Sequence, residues 1–251
     1  MLLTSKRLGV VHAFSTREGG VSQGAFESLN LGRSVGDVPE HVAENGRRFA
    51  AKLGITPGQI ICANQVHGET ILEVHGASPG DLIPPAIGDA DALVTRAKGV
   101  AIGIRTADCV PVLLYAPDVG AVGAAHAGWR GAVAAIAGKT VKRMAELYAA
   151  SPQRMLAVVG PHIRACCYEV GEDVAKQFEA RFGLAVTVRE GQGGTKLDLA
   201  EANRRALLEA GVLAENIEVL DACTSCDAIR FFSHRRDQGR SGRHLSVISI
   251  G

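Results

Sequence analysis

The sequence predicts a mixed α/β sandwich (α+β), and three observations carry that expectation. Short β-rich runs recur along the chain, several of them apolar almost throughout, as strands covered on both faces are. Helical periodicity marks three longer segments between them. The strands outnumber the helices and do not alternate with them strictly, so a regular doubly wound sheet fits poorly. No internal repeat with a period of roughly 20–50 residues and no low-complexity block divides the chain. Residues 1–251 are therefore read as one domain.

From the N-terminus, the first helix is predicted over 38–53, where Val38, Val42, Asn45, Phe49 and Leu53 fall on one face. Asp37 and Glu40 make a capping-box pattern at its start, and Gly54 suits its C-terminal cap. Strand runs follow at QIICA (59–63), TILEVH (70–75), ALVT (92–95), VAIGIRT (100–106), VPVLLYA (110–116) and AVGAAHA (121–127). A second helix is expected over 132–149, with Val133, Ile136, Thr140, Met144 and Leu147 in one stripe. MLAVVG (155–160) and AVTV (185–188) are further strands. Asp198 with Glu201 opens a third helix that Gly211 ends, before strands at IEVL (217–220) and LSVISI (245–250). ASPGDLIPPAIGD (77–89) and REGQGGTK (189–196), rich in Gly and Pro, read as loops.

Composition narrows the function. Hydrophobic residues make up 47% and aromatics only 4%, so a substantial core must be built mostly from Ala, Val, Leu and Ile. With 27 basic against 26 acidic side chains, there is no electrostatic footprint for nucleic acid or a membrane surface, and an anionic partner has to be recognised locally. Lys6 and Arg7 interrupt the N-terminal segment where a signal peptide needs an apolar run, and no stretch long enough to span a membrane occurs. Six cysteines in such a chain point to reduced thiols and a cytoplasmic protein.

The chemistry concentrates in TADCVPVLLYAPDVGAVGAAHAGWRG (106–131). Cys109 precedes one apolar run and His126 closes the next, with APDVG (116–120) as a tight connection between them. If the two strands pair antiparallel, the start of one lies beside the end of the other, and Cys109 and His126 become neighbours. His67, in the turn NQVHG (64–68), supplies a third ligand, with Gly68 allowing close approach. Two imidazoles and a thiolate suit Zn²⁺ and leave a fourth position for water or substrate, the mark of a catalytic rather than a structural site. HAGWRG then leads from strand to helix, an arrangement whose free N–H groups, with Arg130, suit an anion such as phosphate.

These residues carry a family resemblance. FSTREGGVSQGAFESLNLG (14–32), NQVHG (64–68), ADALVT (90–95), TADCVPVLL (106–114), HAGWRG (126–131), GPHIRACCYEVG (160–171) and FFSHRRDQGRSGR (231–243) occur in the order seen in the multicopper polyphenol oxidase, or laccase-domain (YfiH-like), family. The chain is identified as a member of that family from about residue 12 to its C-terminus. The resemblance implies a single-domain layered α/β/β/α sandwich with mixed sheets and a zinc site on His67, Cys109 and His126. It implies phosphorolysis of adenosine, inosine and methylthioadenosine, with adenosine deamination beside it. The purine nucleoside and inorganic phosphate are then the partners. Two other readings belong to the same family: a copper-dependent polyphenol oxidase (laccase), and a peptidoglycan-precursor editing factor or hydrolase with Cys109 as nucleophile. The chain has eight histidines and no His-x-His pair, which disfavours a multicopper laccase, although copper remains a competitor for a His₂Cys site.

Within this reading, Asn64 and Gln65 are expected to hydrogen-bond the base edge or ribose, and Arg17 to reach the anionic substrate. Asp108 is expected to carry a proton or to orient its neighbour Cys109, with a buried Arg105 pair as the structural alternative. CTSC (223–226) has the spacing of redox and zinc pairs but no second such pair, and CC (166–167) is adjacent rather than two apart. Its two cysteines are therefore expected to be plain reduced thiols. His162 is not expected to be a ligand.

Overall fold

A computed structural model describes residues 2–78, 80–189 and 194–251. Among them the strands are β1 (Leu2–Leu3), β2 (Val11–Ser15), β3 (Ile60–Cys62), β4 (Ile71–Glu73), β5 (Ala92–Thr95), β6 (Ala101–Thr106) and β7 (Val110–Ala116). They continue with β8 (Ala121–Ala127), β9 (Leu156–Val159), β10 (Glu169–Val170), β11 (Thr187–Arg189), β12 (Thr195–Leu197), β13 (Ile217–Val219) and β14 (His244–Ser249). The α-helices are α1 (Pro39–Lys52), α2 (Trp129–Val133), α3 (Ile136–Tyr148), α4 (Glu172–Phe182) and α5 (Leu199–Glu209).

Two mixed sheets make the sandwich. The first runs β1-β2-β14-β6-β3 and the second β13-β9-β7-β8-β5-β4, while β10, β12 and β11 form a small antiparallel sheet. Period-two alternation sorts the side chains of each strand into layers. Leu113 of β7, Leu93 of β5, Val122 and Ala124 of β8 and Val158 of β9 point to the first sheet, where they meet Phe14, Ile102, Ile104 and Ile248. Their neighbours Val112, Leu114, Val94 and Val159 point outward onto α3, α4 and α5, contributing Ile136, Val141, Met144, Phe178 and Leu207. The outer face of the first sheet presents Ala13, Ile60, Leu245 and Val247 to Phe49 and Ala50 of α1. The layers are thus helix, sheet, sheet, helix, as the resemblance implies. Each fully buried Val, Leu, Ile or Phe contributes about 1.5–3 kcal/mol relative to exposure.

The helices depart from expectation at their ends. α1 starts at Pro39 in the first turn without a capping box: the Asp37 carboxylate accepts from the Val38 N–H, from the Ser22 hydroxyl and from the Asn30 amide instead. Asp198 does cap α5, accepting from the Glu201 N–H at 2.9 Å. The helix expected over 132–149 is two helices. α2 begins at Trp129, and Ala135 takes a left-handed conformation (φ 58°) before α3 starts. In the loop expected at 189–196, residues 190–193 lie outside the described residues.

The chain crosses between the sheets at one end of the sandwich. Residues 63–70 carry it from β3 of the first sheet to β4 of the second, and residues 107–109 from β6 to β7. These two crossings, with the end of β8, hold the site.

Candidate metal centre and active site

β7 and β8 pair antiparallel with Val110 opposite Ala127 and Pro111 opposite His126. That register brings Cys109 beside His126, as the hairpin argument requires. His67 joins them from the first crossing: its Nε2 lies 4.0 Å from Cys109 Sγ, and its ring meets the His126 ring edge-on with centroids 4.9 Å apart. The three ligand atoms lie within 4.8 Å of one another. An S···N edge in a tetrahedral zinc site is about 3.6 Å, so the donor set fits a metal ion with little movement. Gly128 makes room for it. A Cβ there would stand 2.8 Å from His67 Cδ2 and 3.2 Å from Cys109 Sγ.

One residue that the sequence reasoning missed organises the set. Asp91, fully buried just before β5, accepts from His126 Nδ1 at 2.7 Å and leaves Nε2 as the ligand atom. The same carboxylate accepts from the backbone N–H groups of Val66 (3.2 Å), His67 (3.0 Å) and Gly68 (2.6 Å). It therefore holds the turn in which His67 takes a left-handed φ of 59°. Asp108 is likewise left-handed (φ 88°), and such strain in non-glycine residues clusters at functional sites.

The electrostatics follow from this packing. Burial by itself raises the Cys109 thiol, but the His126 charge and hydrogen bonds from His126 and His67 outweigh it and bring the thiol down to about 6. Burial pulls His126 the other way, and the Cys109 thiolate together with Asp91 pushes the imidazole up to about 9. Without metal, the pair is thus a thiolate beside an imidazolium.

Two cavities flank the set and share His67, Cys109 and His234. The first, of about 340 Å³, is lined by Asn64, Gln65, Arg33, Arg105 and Arg243. Its arginines are positioned by main-chain carbonyls: Arg33 by those of Ile83 and Pro84, Arg105 by that of Leu31, Arg243 by those of Ser241 and Gly242. Neutral carbonyls fix each guanidinium without cancelling its charge. The second cavity, of about 430 Å³, has walls from Trp129, Arg130, Ile163, Tyr168 and Leu199.

The other expected site residues divide. Arg130, expected to grip an anion such as phosphate at the helix start, does not line the arginine-lined first cavity but faces the second, with its guanidinium 4.4 Å from the Trp129 ring centre. Asn64 donates to Asp89 at 2.8 Å and leaves its amide oxygen to the first cavity. Gln65 lines the same cavity, but both ends of its amide are spent on Arg105, donating to its carbonyl and accepting from its N–H, each at 2.7 Å. It clips the two crossings together instead of presenting free donors. Asp108 is neither paired with Arg105 nor free to carry a proton. Its carboxylate accepts from the hydroxyls of Thr224 (2.6 Å) and Ser233 (3.0 Å) and from the Arg235 N–H (2.7 Å), so it anchors Cys109's backbone. Arg17 lies elsewhere, because its guanidinium donates to the carbonyls of Glu27 and Ala228 and stacks on Phe232. His162 is buried, with Nδ1 on the Gly160 carbonyl at 2.8 Å, and lines neither cavity. His234, Arg33 and Arg243 are additions. Their signal was confined to polar residues in FFSHRRDQGRSGR and NLGRS, which local spacing does not interpret.

The layered α/β/β/α sandwich thus carries a His/Cys/His metal-capable set between an arginine-lined and an aromatic-lined cavity. Residues 11–251 match the family described as "Multi-copper polyphenol oxidoreductase laccase", and the chain belongs to that family. It is 47% identical over 250 residues to a Deinococcus radiodurans protein named purine nucleoside phosphorylase, covering 99% of this chain and 92% of that one. A protein from an unknown prokaryotic organism named adenosine deaminase RL5 is 38% identical, with 97% and 95% covered. The crystal structure of the Bacillus licheniformis hypothetical protein YfiH superposes with a TM-score of 0.93 at 34% identity, covering 98% of this chain and 94% of that one. Both of the named relatives carry the names of enzymes of purine nucleosides. Among the described residues, no helix is long and apolar enough to cross a membrane.

Proposed function

We propose that this chain is a zinc-dependent purine nucleoside phosphorylase acting on adenosine, inosine and methylthioadenosine, with adenosine deamination as a side activity. The observation that carries the reading is the His/Cys/His set flanked by one arginine-lined and one aromatic-lined cavity, in a chain so similar to a protein named for that reaction. Phosphorolysis brings an anionic nucleophile to C1′ and releases a purine whose departing electron pair must be accepted.

Arg33, Arg105 and Arg243 support a reading of the first cavity as the phosphate side. Arg105 Nη2 is buried without a hydrogen-bond partner, a donor that an anion would satisfy. Trp129 and Tyr168 give the second cavity flat faces for a purine, with Arg130 beside them. Asn64's free amide oxygen suits a ribose hydroxyl. His234 faces both cavities and is placed to hand a proton to the departing base. His67, Cys109 and His126 would hold the zinc, which would supply Lewis acidity beside both cavities.

Chromatography of inosine incubated with the purified protein tests this. Hypoxanthine and ribose 1-phosphate are expected only when phosphate is present; base release that ignores phosphate, or none, overturns the reading. Losing a charge-assisted hydrogen bond costs about 1.5–3 kcal/mol. Arg243→Ala is therefore expected to raise KM for phosphate roughly ten- to a hundredfold, while Arg130→Ala acts on the nucleoside. The family's description favours a second reading, a copper phenol oxidase. Cu²⁺ would bind the same donors, but Met144 and Met155, the internal methionines, are buried in the helix-side core and line neither cavity beside the set. Metal analysis of protein made without added copper separates the two.

A further inference from the structure

A second group of metal-capable side chains is gathered next to Tyr168, a wall of the second cavity. Cys166 and Cys167 lie in the turn that follows His162, and Cys223 and Cys226 in the turn that follows Ala222. A parallel bridge between His162 and Cys223 sets the turns side by side, with His162 N–H on the Ala222 carbonyl (3.3 Å) and Thr224 N–H on that of His162 (3.0 Å). Each turn is closed on itself: the N–H groups of Cys167 and Tyr168 reach the Arg164 carbonyl at 2.9 Å, and that of Asp227 reaches Cys223 at 3.1 Å.

The consequence is four free thiols whose sulfurs all lie within 4.8 Å of one another. Cys166 Sγ is 3.6 Å from that of Cys223 and 3.4 Å from that of Cys226, and Cys167 Sγ is 3.2 Å from that of Cys226. A disulfide draws two sulfurs to about 2.05 Å. Four thiolates around one zinc at about 2.3 Å stand about 3.8 Å apart. The observed separations, from 3.2 Å up to the 4.8 Å limit, bracket that spacing and are longer than a disulfide bond. Sequence spacing concealed the group, because one half of it is an adjacent pair and the other a lone Cys-x-x-Cys.

We propose that Cys166, Cys167, Cys223 and Cys226 form a second metal site, a closed tetrathiolate centre for Zn²⁺. Four protein ligands leave no open position, so the site is structural. Binding exchanges the thiol protons for the ion and transfers no electrons. It ties together the two turns whose next residues reach the active site. Tyr168, after Cys167, walls the purine cavity, and Thr224, after Cys223, donates to Asp108 beside Cys109. Cys166 and Cys226 are exposed, and such thiols resist oxidation when a metal holds them.

Cobalt binding to the full chain carrying His67→Ala and His126→Ala, purified under reducing conditions, tests the site independently of the catalytic reading. One Co²⁺ per chain is expected, with the intense sulfur-to-cobalt charge-transfer absorption of a tetrahedral tetrathiolate, displaced by an equivalent of Zn²⁺. Zinc is expected to protect four of the six thiols from a thiol reagent. The wild-type chain, read the same way, is expected to show the same tetrathiolate band, so the result does not hang on the double variant folding. Cys226→Ser is expected to weaken cobalt binding beyond the roughly tenfold cost of losing an outer hydrogen bond. Absence of the band with all four thiols reactive overturns the proposal. So does an intact mass two or four hydrogens light, which would mean disulfides.

Discussion

Asp91 serves both histidines at once, through one oxygen network that reaches His126 Nδ1 and the N–H groups of the His67 turn. Its partners lie 23 to 35 residues away in sequence, so nothing in ADALVT marks it. His67, Cys109 and His126 were legible because ligand chemistry and a hairpin register are both local properties. The remaining polar residues were legible as types but not as roles: Gln65 and Asp108 turn out to be spent on backbone and hydroxyl partners that no spacing reveals. Asp91 also sets the charge of the pair. In metal-free protein, alkylation of Cys109, followed peptide by peptide by mass spectrometry, is expected to rise with pH through a midpoint near 6 and then level off. Asp91→Asn removes a charge that holds the proton on His126, so the imidazolium that depresses the thiol is lost at lower pH. The Cys109 midpoint is then expected to move upward, toward the ordinary thiol range. A midpoint that does not move would show that Asp91 positions His126 without charging it.

At the scale of elements, the β7–β8 hairpin was readable from two apolar runs and a turn, whereas the break between α2 and α3 was not. Ala134 and Ala135 are among the residues that favour helix, yet Ala135 is left-handed. The break lets α2 leave the end of β8 with Trp129 and Arg130 turned to the second cavity while α3 lies across the sheet. Gly128, between β8 and α2, is constrained by space alone, since its φ of −66° and ψ of 172° suit any residue. Gly128→Ala would press a methyl group onto His67 and Cys109. Overpacking of this kind costs about 1–3 kcal/mol, but here the yielding atoms are ligands. A displacement of about 1 Å near reacting groups can cost roughly a hundredfold in rate. The variant is expected to keep most of its thermal stability and to lose metal affinity and kcat together. Isothermal titration with Zn²⁺ alongside a melt checks this; wild-type affinity would show that the turn at His67 yields freely.

For the whole molecule, the sandwich was predictable but the assignment of strands to sheets was not. β7 and β8 are buried on both faces, so they lack the period-two signal that tells one face from the other. The two- and three-residue strands at the edges carry no pattern at all. What the assembled sheets provide is a layer of Leu93, Leu113, Val122, Val158 and Ile102 that fixes their separation. The site rides on the segments that cross between them, yet it is held there by its own polar clips, Asp91, Gln65 and Asp108, rather than by that layer. Leu113→Ala should separate the two contributions. Leu113 is fully buried, and its truncation is expected to cost about 2–5 kcal/mol, the transfer term plus a cavity in a layer that sheets on both sides keep from collapsing. The denaturant midpoint falls while the slope stays constant, because the same surface is exposed on unfolding. Leu184→Ala, at a position 74% exposed, is expected to stay within about 0.5 kcal/mol of wild type. Zinc titration of folded Leu113→Ala is expected to return wild-type stoichiometry and affinity, the reverse of Gly128→Ala. Loss of zinc affinity in step with stability would show that the inter-sheet core, and not the clips, holds the crossings in place.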